Sequence, residues 1–184
     1  MMPELSLNIL DVAQNSVTAG ASLIQISILA DTAADRLTIR LEDNGCGMTE
    51  EQIRSVTDPF FTSRKTRKVG LGIPFFKMAA ELTGGSFHIE SQVGTGTVTT
   101  AIFGLSSINR MPLGNIADTM SVLIGPNPDI DFLLTMEEDG RSFTMDTRAF
   151  REILGPEIPL SEPQVLNYVE GYIDENIREC RINF

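Results

Sequence analysis

The stretch from Ser22 to Met48 constrains this chain most tightly. Ser22–Ala30 and Arg36–Glu42 each alternate apolar and polar residues, and Asp31-Thr32-Ala33-Ala34-Asp35 joins them as a polar turn. Alternation with a period of two, bounded by turn residues, predicts two strands. The second strand runs directly into Asp43-Asn44-Gly45-Cys46-Gly47-Met48, which precedes a helical pattern. Asp-Asn-Gly is a common turn, and taken alone it says only that the chain changes direction.

The flanking segments build a sheet-and-helix domain around this pair. Residues 4–19 read as a helix, with Leu5, Ile9, Val12, Ala13, Ser16 and Val17 on one face and Gly20 as its stop. Thr49 followed by Gln52 is a capping box that opens a short helix. Gly72 to Leu82 reads as a second long helix, ended by Gly84-Gly85. Residues 86–92 and 97–103 form two strands joined by Val93-Gly94-Thr95-Gly96, a hairpin signal. Beyond Gly104 the pattern changes, and Ser106 to Asn115 reads as a linker. Asp131–Met136 and Ser142–Asp146 then flank the hairpin turn Glu138-Asp139-Gly140-Arg141. Helices are expected at Thr147–Leu154 and Ser161–Ile177, the latter capped by Ser161 with Pro163 in its first turn. The expected organisation is a domain over 1–104 and a small α+β extension over 105–184.

Composition excludes several classes. A chain of 184 residues can bury roughly 70% of its unfolded surface, so its core needs no metal or disulfide staple. Cys46 and Cys180 form no CxxC or Cys/His cluster, which leaves reduced thiols as the expectation. No apolar run approaches the roughly 20 residues that span a bilayer, and the N-terminus lacks a signal-peptide pattern. No membrane association and a cytoplasmic location are therefore expected. A net charge of −11 opposes nonspecific binding to nucleic acid. The charge is uneven. Residues 1–104 hold 8 basic against 11 acidic residues, whereas residues 105–184 hold 6 against 14. The second part suits a basic partner or simple solubility.

Asp11 and Asn15 stand four apart and stack on one face of the first helix. They can be solvent-facing polar residues. Alternatively, the Asn15 carbonyl can ligate a magnesium ion that also holds phosphate oxygens, while Asp11 orients or deprotonates a water or hydroxyl. Arg64-Lys65-Thr66-Arg67-Lys68 gathers 4 of the 14 basic residues of an acidic chain. It is either a solvated loop or a lid whose cations meet phosphates, with backbone N–H groups at Gly70–Gly72 capping them at a helix N-terminus. Cys46 reads as a small packing residue, because nothing nearby in sequence would activate its thiol. His88, the sole histidine, lies in a strand pattern and reads as structural.

Taken in order, Asp11 to Asn15, Asp43 to Met48, Asp58-Pro59-Phe60-Phe61-Thr62-Ser63 and Val69-Gly70-Leu71-Gly72-Ile73 resemble the GHKL superfamily. That superfamily includes DNA gyrase, ninety-kilodalton heat-shock chaperones, sensor histidine kinases and MutL mismatch-repair proteins. The resemblance covers roughly residues 4 to 104, and Gln14 to Ala21 is similar to the MutL version of the first helix. It implies a two-layer α/β sandwich with a mixed β-sheet that binds Mg-ATP. In the family, the acid at the position of Asp11 is the general base and is a glutamate; aspartate reaches ~1.5 Å less far. The resemblance implies that Asn15 holds magnesium and that Asp43 accepts a hydrogen bond from the adenine amino group. Gly45, Gly47 and Met48 would pass close to the base, and Thr97 would support adenine through water. Phe60, Thr62, Lys65 and Lys68 would belong to the phenylalanine box and lid, and Gly70, Leu71 and Gly72 to the second glycine box. Kinases of the family carry one more glycine in that box, near Val69.

The first helix begins close to Met1, which implies no upstream helix pair with a phosphoacceptor histidine. The acceptor is then expected on another molecule or within residues 105–184. The leading expectation is a protein kinase or phosphotransferase acting in trans, similar to stand-alone anti-sigma-factor serine kinases. Its partner would be an unidentified regulatory or substrate protein, and a homodimer is a further assembly in view. A slow ATPase switch and a non-catalytic, ATP-responsive binding module are the alternatives.

Overall fold

The computed structural model describes residues 2–57 and 72–184. Among them six strands form one mixed sheet. β1 (Leu23–Asp31) and β2 (Arg36–Asp43) are the antiparallel pair expected from alternation, joined across Asp35 in a left-handed conformation (φ 50°). β3 (Ser86–Gln92) and β4 (Gly96–Gly104) form the second hairpin, and β4 pairs with β2. The order across the sheet is β3-β4-β2-β1-β5-β6, where β5 is Asp131–Glu138 and β6 is Arg141–Asp146. Only the β1–β5 contact is parallel.

Register explains the layering. Ile24, Ile26 and Ile28 of β1 are buried, and they pair with Asp43, Leu41 and Ile39 on one side and with Phe132, Leu134 and Met136 on the other. Thr99, Ala101 and Phe103 continue the same face into β4. Side chains on this face pack beneath the helices, while Gln25, Ser27, Thr38, Arg40 and Thr100 alternate onto the open face. The helical layer contains α1 (Leu5–Thr18), α3 (Gly72–Leu82), α4 (Ile116–Ile124) and α6 (Pro163–Glu179). α1 packs between α3 and α4, and α4 against α6. This is the two-layer α/β sandwich expected from the sequence. A short helix, α2 (Glu50–Thr57), precedes α3, and α5 (Thr147–Leu154) follows β6.

Residues 105–184 extend this sheet instead of building a second one. β5 lies beside β1 in parallel, and the Asp131 N–H donates to the Ser22 carbonyl at 2.9 Å. The expected division at residue 104 thus falls within a continuous sheet, because β1 would otherwise present an unpaired apolar edge. α4 was not among the expected elements, although its buried Ile116, Ala117, Met120, Leu123 and Ile124 follow helical spacing. Its start is marked only by Asn115, whose side chain accepts from the Asp118 N–H. The expected cap Ser161 is also displaced. α6 starts at Pro163 after Glu162, with no side-chain cap bond; proline presets the first helical φ, and the Glu162 carbonyl accepts from the Val165 and Leu166 N–H groups. The Thr49 box forms as expected: Thr49 N–H donates to Gln52 Oε1 at 2.8 Å and Gln52 N–H to Thr49 Oγ1 at 3.3 Å.

Candidate functional site

Sheet parity brings three polar side chains to one end of the helix-covered face. Asp43 follows Leu37, Ile39 and Leu41 in the inward series and pairs with Thr97, which pairs with Ser91. The C-terminal half of α1 crosses above this row. Ser16 lies on its buried face, and its hydroxyl donates to Asp43 Oδ2 at 2.6 Å. The Gly45 N–H donates to Asp43 Oδ1 at 2.9 Å. Both carboxylate oxygens are thereby oriented, and each retains a lone pair for an incoming amino group.

The turn after Asp43 is locked from two sides. The Cys46 N–H donates to the Ala19 carbonyl at 2.9 Å, and the Gly94 N–H donates to the Cys46 carbonyl at 2.8 Å. Gly47 has φ +66°, and a Cβ there would collide with the Gln92 carbonyl oxygen and lie 2.6 Å from its carbon. Gly96 (φ +134°) approaches the Asp43 carbonyl in the same way. The glycines let two turns interlock.

Ser91 supports the floor. It accepts from the Met48 N–H at 2.8 Å, lies 2.9 Å from the Gly96 carbonyl oxygen and 2.8 Å from Thr97 Oγ1. Its single proton goes to the carbonyl, so the Thr97 hydroxyl donates to Ser91. Thr97 then keeps its own lone pairs as acceptors.

Asp11 and Gly72 meet where α1 touches the start of α3. A Cβ on Gly72 would lie 2.9 Å from both Cβ and Oδ2 of Asp11, so only glycine fits this backbone against the carboxylate. Asp11 accepts no hydrogen bond from a described residue, and its burial raises its pKa above the ordinary aspartate value. Asn15, one turn further along, is exposed, and its side chain makes no hydrogen bond to a described residue.

The fold therefore gathers Asp43, Gly45, Gly47, Met48 and Thr97 into one cluster and sets Asp11 against Gly72, with Asn15 beside them on α1. Phe60, Thr62, Lys65, Lys68, Gly70 and Leu71 lie outside the described residues, as does the basic loop. Sequence reasoning missed the roles of Ser16 and Ser91. For Ser16 the signal was a hydroxyl on the apolar face of the helix, where it needs a partner; for Ser91 there was none beyond strand parity. Cys46 is exposed, with a free thiol. His88 lies on the open sheet face, 3.5 Å from Glu90, away from the cluster.

A two-layer sandwich with a carboxylate turn at the sheet end, tied to a helix bearing Asp and Asn, defines a class of ATPase domain. Comparison with known proteins agrees. The family described as histidine kinase-, DNA gyrase B- and HSP90-like ATPase matches residues 2–107. The chain belongs to this family, within the GHKL superfamily. It is 33% identical over 99 residues to sporulation kinase D of Bacillus subtilis, covering 54% of this chain and 19% of that protein. It is 30% identical over 100 residues to a putative sensor protein of Shewanella frigidimarina, covering 53% and 15% respectively. The chain thus spans less than a fifth of the length of these relatives. The fold is similar to the MutL ATPase domain of Aquifex aeolicus, solved with ADP, with a TM-score of 0.51 at 12% identity, over 84% of this chain and 70% of that one.

Proposed function

We propose that this chain binds Mg-ATP and transfers its terminal phosphate to a partner protein. The observation that carries this reading is the role of α1 as a common beam. One face of that helix holds the Asp43 carboxylate through Ser16, while Asp11 meets the start of α3 at Gly72. Adenine would be recognised by Asp43, oriented as an acceptor; guanine presents a carbonyl there and is repelled. The Asn15 carbonyl offers a hard oxygen donor of the kind magnesium takes, and phosphate oxygens or water would complete its shell. The ion would supply charge neutralisation at the phosphates. Asp11 would draw the proton from an acceptor hydroxyl or water, and its raised pKa suits a base better than an ordinary aspartate.

A second reading, an ATP-driven switch, is favoured by one connection. Asn44 Oδ1 accepts from the N–H groups of Ser22 and Leu23, and the Ser22 carbonyl accepts from Asp131 at the start of β5. A shift at the Asp43 turn would thus reach the acidic C-terminal strands. Incubation with γ-labelled ATP and partner proteins captured in its presence separates the two. Labelled partner supports transfer; free phosphate alone supports the switch. ATP binding that survives Asp43→Asn unchanged removes the adenine assignment and, with it, both readings.

A further inference from the structure

The most anomalous polar side chain among the described residues is Asn8. It is fully buried within α1, and neither Nδ2 nor Oδ1 has a hydrogen-bond partner among the described residues. Leaving a buried carboxamide unpaired is costly, and each such group in a native structure calls for an explanation, a role in the site among them. Asn8 is three residues before Asp11 and seven before Asn15, so the three lie on one stripe of the helix. Ser6, the other buried polar residue of that first half, has its hydroxyl bonded to Glu4 at 3.3 Å and faces the segment around Gly114. Asn8 lies toward the opposite edge of the buried face, the side on which Asp11 meets Gly72. Two unpaired groups thus stand one turn apart: a carboxamide with N–H donors and no acceptor, and a carboxylate with no donor among the described residues. Asn8 has no accessible surface at all, which leaves no room for a water between them.

We propose that Asn8 is a positioning residue of this site, whose Nδ2 turns to donate directly to the Asp11 carboxylate when nucleotide is bound. Carboxamide–carboxylate hydrogen bonds at this helical spacing are known to form. The bond would hold the carboxylate at one angle over the phosphate end, and the shortened acid gains in orientation what it lacks in reach. The proposal rests on the reading of Asp11 as the base.

Asn8→Leu tests it, because leucine matches the volume and removes an unpaired buried amide. The expected result is an unchanged or raised Tm, ATP affinity within about twofold, and a kcat lowered about 10- to 100-fold with KM barely moved. Asn8→His, which keeps a ring N–H donor, should restore part of the turnover. A kcat for Asn8→Leu equal to that of the wild type overturns the proposal. A second measurement is independent of turnover and of the folding of that variant. In Mg-ATP-saturated wild-type protein, the side-chain amide protons of Asn8 are followed by NMR and compared with Asp11→Ala. A downfield Nδ2 proton that moves upfield on that substitution supports the contact; identical shifts overturn it. If the wild-type protein binds ATP without turnover, the reading of Asp11 as a base fails, and the amide shift alone decides the contact.

Discussion

Replacing Gly47 by alanine separates backbone freedom from close approach. Gly47 and Gly94 both have positive φ, +66° and +79°, and belong to the two interlocked turns. For an L-residue that conformation costs roughly 1–2 kcal/mol, and both alanine variants carry the penalty. Only at Gly47 does the new methyl also strike something. It would lie 2.6 Å from the Gln92 carbonyl carbon, whereas a relaxed carbon contact is ~3.5 Å, so the end of β3 must retreat by about 0.9 Å. At Gly94 nothing lies within 4 Å. Overpacking of this kind adds about 1–3 kcal/mol. The expected loss is therefore about 1–2 kcal/mol for Gly94→Ala and about 2–5 kcal/mol for Gly47→Ala, by urea unfolding at equal m-value. A kilocalorie corresponds to roughly 2–4 °C in Tm at this size. The retreat also pulls Gln92 and Ser91 away from Met48 and Thr97, so ATP affinity should fall for Gly47→Ala alone. Equal stability losses and equal ATP affinities in the two variants would refute the interlocked-turn argument.

Further outcomes follow from the same geometry. Ser16→Ala removes the 2.6 Å donor from Asp43; a hydrogen bond to a charged group is worth about 1.5–3 kcal/mol, so the folded state should lose about that much by urea unfolding, and ATP should bind more weakly by calorimetry because the carboxylate is no longer held. Asp11→Asn should abolish turnover and spare ATP binding; full turnover would remove the base assignment. Because burial raises the Asp11 pKa, the folded chain holds that proton more tightly. Its contribution favours folding below the unfolded value of about 3.9 and is lost as pH rises through the folded value. Asp11→Asn should therefore melt higher than wild type at neutral pH, with the gap closing in acid; a pH-independent gap contradicts the desolvated carboxylate. Asp146 caps α5 and hydrogen-bonds the Arg148 side chain, which holds its pKa below the ordinary value. That stability is present above about pH 3.9 and lost as pH falls through the lower folded value. Asp146→Ala should cost about 1 kcal/mol at neutral pH, read from urea midpoints that converge with wild type in acid.

The sequence by itself determined the elements of the first half and which turn residues the fold gathers around Asp43. Period-two alternation in Ser22–Glu42 specified which side chains face the helices, and Asp43 inherits its inward direction from Leu37, Ile39 and Leu41 by the same parity. Glycines at 47 and 96 were legible because only glycine tolerates their backbone. Tertiary structure alone decided three matters. β5 joined β1, because pairing between segments about a hundred residues apart leaves no local signature. α1 took its place between α3 and α4, which only the packing of the helical layer fixes. Ser16, Ser91 and Asn8 acquired their meaning only when packing removed water from them, since a polar side chain is ordinary until burial makes its hydrogen bonds obligatory.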